Sequence, residues 1–101
     1  MKTFYREDET PIKDVPNAGK LAEGTDYMLI RLILKPGEAQ SLHRNQHRVI
    51  FYVMSGKGLL LVEGRTFQLG TGDGAEVMTY ELRAWKNIGD VDLELLVFKF
   101  L

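Results

Sequence analysis

Apolar and polar positions alternate through most of this chain, and short glycine-rich turns break the alternation at close intervals, a pattern that predicts strands rather than helices. Positions 27–34, YMLIRLIL, put Met28, Ile30, Leu32 and Leu34 on one unbroken apolar face and Arg31 on the wetter one. A Pro36-Gly37 turn leads into a less apolar extended stretch, 39–44, that carries His43. A second apolar strand, 49–54, is predicted to hairpin through Gly56 into 59–62, where Leu59, Leu60, Leu61 and Val62 need cover on both faces. Strands at 66–69, 75–80, 82–88 and 93–100 follow, punctuated by Glu63-Gly64-Arg65, by Gly70-Thr71-Gly72-Asp73-Gly74 and by Gly89-Asp90.

Turns spaced roughly every 8 to 12 residues, without helical periodicity or a βαβ unit, are the signature of an all-β sandwich or barrel. The last strand has apolar residues at both parities, Leu95 and Val97 against Leu96, Phe98 and Phe100. One face needs a core and the other a second cover, so a homodimer packed sheet against sheet is expected. Residues 1–26 are weakly patterned: 3–5 has the composition of a short strand, and the rest reads as connecting structure. This arm is expected to run along the barrel wall or onto a partner subunit, leaving 27–101 as the β-barrel domain.

Composition narrows the function more than the fold. A length of 101 residues, with 45% hydrophobic and 27% charged residues, fits one folded domain. A net charge of -1 without a run of Lys or Arg gives no footprint for nucleic acid or an anionic membrane. The chain has no cysteine, so disulfides, zinc-thiolate sites and thiol nucleophiles are excluded, and His, Asp, Glu and Asn remain as metal ligands. MKTFYREDETP lacks the apolar centre of a signal peptide, and no run approaches the ~18 apolar residues of a membrane span. A cytoplasmic protein is expected.

The polar residues that stand out are His43, Asn45 and His47, which share one parity and on an extended strand would point together into whatever the sheet encloses. Gly70-x-Gly72-x-Gly74 precedes a strand rather than a helix, so it is a turn and not a phosphate loop.

In this order, the Pro-Gly turn, His43, VIFYVMSGKG, VEGR, LGTGDG and WKNIGD resemble the cupin superfamily of small β-barrels over about residues 28–100. The family's first motif, G-x5-H-x-H-x3-E-x6-G, falls without a gap on Gly37, His43, Asn45, Val49 and Gly56; its second, G-x5-P-x-G-x2-H-x3-N, falls on Gly72, Met78, Tyr80, Arg83 and Asn87. The resemblance implies a single cupin-type β-barrel, two packed antiparallel sheets in a jelly-roll-like arrangement.

It also implies where a metal would sit. In metal-bearing cupins the two histidines and glutamate of the first motif and the histidine of the second hold a divalent ion, and of those positions this chain keeps only His43. Val49 offers no lone pair, and Arg83 would put a permanent cation where the ion belongs. No cofactor is therefore expected. A transition metal held by His43, His47 and Asn45 is the alternative, weakened by the want of a carboxylate at the right parity.

If the barrel is built as in the family, His43, Asn45 and Arg83 converge on an interior lined by Phe51, Val53, Leu60, Val62 and Trp85. An apolar cavity with a few convergent polar groups is the usual form of a small-molecule site, and guanidinium suits a carboxylate or phosphate. The ligand-binding candidates are thus His43, Asn45, Arg83, Phe51 and Trp85, in a sensor or accessory module for a small anionic metabolite. Against this stand an ion pair of Arg83 with Glu76 or Glu81, a structural dimer module without ligand, and an isomerase, lyase or dioxygenase using His43 with or without a divalent metal. No neighbour that would hold the tautomer of His43 is legible in the sequence.

Overall fold

Nine strands follow one turn of 3-10 helix at Arg6–Asp8 in the computed structural model, which describes residues 1–101. They are β1 (Thr10–Ile12), β2 (Val15–Glu23), β3 (Tyr27–Leu34), β4 (Val49–Ser55), β5 (Lys57–Val62), β6 (Arg65–Gly70), β7 (Gly74–Val77), β8 (Arg83–Asn87) and β9 (Leu93–Phe100). A six-stranded sheet in the order β1-β2-β3-β9-β4-β7 faces a three-stranded sheet in the order β6-β5-β8, and every pairing is antiparallel. The protein is all-β and jelly-roll-like. No continuous ladder closes the two sheets into a barrel.

The inward faces follow the alternation of the sequence. Ile30, Leu32 and Leu34 of β3 lie beside Val97, Leu95 and Leu93 of β9, and Val49, Phe51 and Val53 of β4 complete that wall. Leu60 of β5 and Trp85 of β8, paired with each other, close the core from the opposite sheet at 1% and 0% exposure. Each such side chain contributes about 1.5–3 kcal/mol through burial. The ring of Phe51 stands edge-on to that of Trp85 with centroids 5.5 Å apart, which ties the sheets together at their centre.

Three local expectations change. β4 does not hairpin with β5: the chain turns a corner at Gly56 and passes from one sheet to the other. Gly56 has φ 91°, and a Cβ there would lie 2.5 Å from the Asp92 carbonyl oxygen, so this corner requires glycine. The stretch 39–44 is not a regular strand; it runs beside β8 through isolated bridges Ala39↔Lys86 and His43↔Arg83. Residues 3–5 form no strand, whereas 10–12 and 15–23 form two, paired with each other and onto β3. Their connection, Lys13-Asp14, is a two-residue turn with Asp14 at φ 63°.

Candidate functional site

Two backbone features aim the polar side chains. The bridge between His43 and Arg83 sets them directly opposite each other, so their side chains leave the strands on the same side, the side that faces the core. Beyond His43 the chain bends at Gln46-His47, where the Asn45 Oδ1 accepts the His47 N–H at 2.9 Å. That Asx turn breaks the extended run on which the shared parity of 43, 45 and 47 depended. His47 is turned away beside the Gln46 side chain.

His43, Asn45, Arg83 and Phe51 line one cavity of about 160 Å³ between the sheets. Ile30, Leu32, Val49 and Val97 supply its apolar wall, Ile12 and Val15 of the β1–β2 hairpin cap it, and Gln40 and Lys99 add polar groups. Trp85 is not among the lining residues: it is fully buried behind Phe51 and belongs to the core. Val53 and Leu60 are likewise core, and Val62 lines a separate cleft of about 350 Å³ whose acidic residues Glu63, Glu76 and Glu81 already accept hydrogen bonds. An open groove of about 930 Å³ outside shares His43, Gln40 and Val15 with the cavity and forms its approach. Within the groove Arg31 is paired with Glu9 and Glu94, and Glu38 accepts the Lys35 N–H.

The electrostatics of the cavity are one-sided. No carboxylate lines it. Arg83 is 2% exposed, and its Nε and Nη1 are buried without a partner. Neither Glu76 nor Glu81 pairs with it, because Glu76 binds Arg48 and Glu81 accepts the Met78 N–H. Desolvation holds the guanidinium below an arginine's ordinary value, and the charge of Glu81 opposes that only in part. The amide oxygens are occupied: Asn45 Oδ1 by the His47 N–H, and Gln40 Oε1 by the Trp85 N–H at 3.1 Å. Their amino groups remain as donors. His43 Nδ1 lies 3.0 Å from the Ser41 carbonyl oxygen, to which it donates, so Nε2 is the ring atom left for chemistry.

Sequence reasoning missed Lys99 and Gln40. Lys99 continues the inward parity of Leu93, Leu95 and Val97, a signal that was legible; Gln40 lies on an irregular segment where parity has no meaning.

Residues 30–99 match the family model described as "Cupin domain", and the chain belongs to the cupin family. Over 99 residues it is 26% identical to an uncharacterized protein of Methanocaldococcus jannaschii, covering 95% of this chain and 77% of that one. Among solved structures it is similar to a predicted oxalate decarboxylase of Thermotoga maritima, with TM-score 0.83, 22% identity and 99% of each chain covered. It is also similar to the polyketide cyclase RemF of Streptomyces resistomycificus, with TM-score 0.82, 19% identity and coverage of 99% and 79%. At these identities the likeness is one of fold.

The residues present do not fit the divalent ion that many cupins hold. The four family positions offer an imidazole, a carboxamide whose oxygen is already occupied, a buried aliphatic side chain and a buried guanidinium. No three His, Asp or Glu side chains come together as a ligand set anywhere in the fold.

Proposed function

We propose that the protein is a cytoplasmic, homodimeric and metal-free cupin that takes a small organic anion into the cavity beside Arg83, as a sensor or accessory module. One observation carries the reading: Arg83, 2% exposed, lines a cavity that no carboxylate lines, and two of its guanidinium nitrogens are buried without a partner. An unpaired buried charge costs several kcal/mol, and a bound carboxylate would offset that cost with paired hydrogen bonds. The remaining polar groups agree with this sign, since Asn45 and Gln40 have spent their acceptors on backbone N–H groups and present donors.

Thermal unfolding in the presence of simple carboxylates tests the proposal. A ligand that binds only the folded state raises the midpoint, and Arg83→Met should abolish that rise. An equal rise in the variant would remove Arg83 as the reader. Metal analysis of protein purified without chelator should find well under one equivalent of transition metal; a stoichiometric ion lost in His43→Ala would overturn the metal-free part.

A second reading is favoured by the Ser41 carbonyl, which fixes the tautomer of His43 and leaves Nε2 free beside the anion pocket. In that reading His43 moves a proton to or from the bound anion. Exchange of the carbon-bound protons of a bound keto acid with deuterated solvent, lost in His43→Gln, would support it, and no exchange above the uncatalysed rate would dismiss it.

A further inference from the structure

Arg83 is not the only cation at the cavity. Lys99 lines it too, from β9 of the six-stranded sheet, while Arg83 stands on β8 of the three-stranded sheet. The register settles the direction of Lys99: it pairs with Met28 and Val49 at the end of the inward series Leu93, Leu95, Val97. No acidic side chain forms an ion pair or hydrogen bond with it. The two positive groups therefore stand on facing walls of one small cavity, which Leu32 and Val97, on the same sheet as Lys99, line with aliphatic surface. Facing sheets lie about 10 Å apart, so the two basic side chains enter the cavity from opposite walls and offer a bound ligand two separate points of attachment.

We infer that the ligand is a short linear dicarboxylate, bound with one carboxylate on Arg83 and the other on Lys99, its methylene spacer against the aliphatic wall. This deepens the anion-binding reading and rests on it. A cavity of about 160 Å³ limits the spacer to a few carbons. Guanidinium, with the donors of Asn45 and Gln40, holds one carboxylate in a fixed plane, whereas the flexible ammonium of Lys99 is a point charge that follows the other end. A monocarboxylate would satisfy only the first of these, and inorganic phosphate, with its charges on one centre, would reach one cation at a time.

Isothermal titration of the full-length chain with butyrate, succinate, glutarate and inorganic phosphate at about 0.15 M salt separates these cases. Succinate or glutarate is expected to bind roughly tenfold tighter than butyrate, the size of one further charge-assisted hydrogen bond. In Lys99→Met succinate and glutarate should bind no tighter than butyrate does to the same variant, and Lys99→Arg should keep the dicarboxylate advantage. Wild-type protein that binds butyrate as tightly as the dicarboxylates, a Lys99→Met variant that keeps the advantage, or phosphate that outcompetes both dicarboxylates would overturn the two-ended ligand while leaving an anion site at Arg83. If no carboxylate of either kind binds, the anion site itself falls, and this inference with it.

Discussion

His43 and Arg83 exchange both of their backbone hydrogen bonds, the His43 N–H donating to the Arg83 carbonyl at 3.1 Å and the Arg83 N–H to the His43 carbonyl at 3.0 Å. This one bridge carries the site. It fixes an otherwise irregular segment against the edge of β8 and throws an imidazole and a guanidinium onto the same side. A sheet ladder would hold them no more firmly, because the two residues already use the paired hydrogen bonds of an antiparallel ladder.

The guanidinium so placed has no acidic partner, and that has a measurable cost. Arg83→Met keeps much of the side-chain volume and removes the charge, so the ligand-free protein is expected to gain about 1–3 kcal/mol in urea unfolding. The sign with pH follows from the lowered folded pKa: the unfolded chain holds this proton more tightly, so the cost is constant across neutral pH and is relieved only as strongly alkaline pH passes through the folded value. The gain should be the same at about pH 6 and about pH 8. A variant less stable than the parent would show that the guanidinium is paired in solution.

Asn87 contrasts with Arg83. At 1% exposure it spends its whole carboxamide: Nδ2 donates to the Leu34 carbonyl at 2.9 Å and the Val91 carbonyl at 2.8 Å, and Oδ1 accepts the Gly89 N–H at 2.9 Å. It ties the end of β8 to the end of β3 across the two sheets. Asn87→Ala leaves those backbone groups unpartnered and is expected to cost about 2–4 kcal/mol, measured as a fall in the denaturation midpoint with an unchanged slope. A cost below about 1 kcal/mol would mean that water replaces the side chain.

These residues also mark how far the sequence could be read. The fold was legible because the inward series Ile30-Leu32-Leu34 and Leu93-Leu95-Val97 alternate cleanly and the turns carry glycine, as at Glu63-Gly64, where both residues have positive φ. β2 was not, because VPNAGKLAE contains Pro16, Gly19 and two alanines, poor strand formers that extend only because β3 offers an edge to pair with. A Cβ at Gly19 would lie 1.9 Å from the Glu9 carboxylate, so a larger residue there would push aside the side chain that pairs with Arg31. In the site, the motif frame located His43, Asn45 and Arg83, while parity misdirected His47, since a period of two holds only until the chain bends. The Ser41 carbonyl behind His43 and the Trp85 N–H on Gln40 are backbone contacts, which leave no trace in residue identity.

Glu63 gives the chain a defined acid sensitivity. In the turn between β5 and β6 its Oε1 accepts the Leu82 N–H at 2.6 Å and the Arg44 Nη1 at 3.0 Å. The Leu82 N–H, the largest influence, holds its pKa below the ordinary glutamate value; desolvation opposes it, and the hydrogen bond and charge of Arg44 add to the lowering. A lowered folded pKa means that the stabilisation is complete above about pH 4.3 and is lost as the pH falls through the folded value. Glu63→Gln keeps an acceptor for Leu82 but cannot titrate, so its melting temperature should fall less steeply than the parent's between about pH 5 and about pH 2. Superimposable acid limbs would assign that sensitivity to other carboxylates.

The outward face of the larger sheet bears on the proposed dimer. Ile50 lies opposite Phe98 and Tyr52 opposite Leu96 on the neighbouring strands β4 and β9, and Tyr52, Met54 and Phe98 are 42%, 44% and 41% exposed. This strip crosses the middle of the sheet, and the charged residues at its side, Arg31, Glu94 and Glu9, are paired with one another. An apolar strip without net charge is self-complementary, which suits a two-fold contact with a second copy of the chain, where the same patch serves both partners. Sedimentation should give twice the mass of one chain, and Tyr52→Lys with Phe98→Lys should give monomers that still unfold cooperatively and still bind the anion, because neither residue lines the cavity. A parent protein that sediments as a monomer at micromolar concentration would remove the dimer and leave the strip as an exposed patch to be explained by another partner.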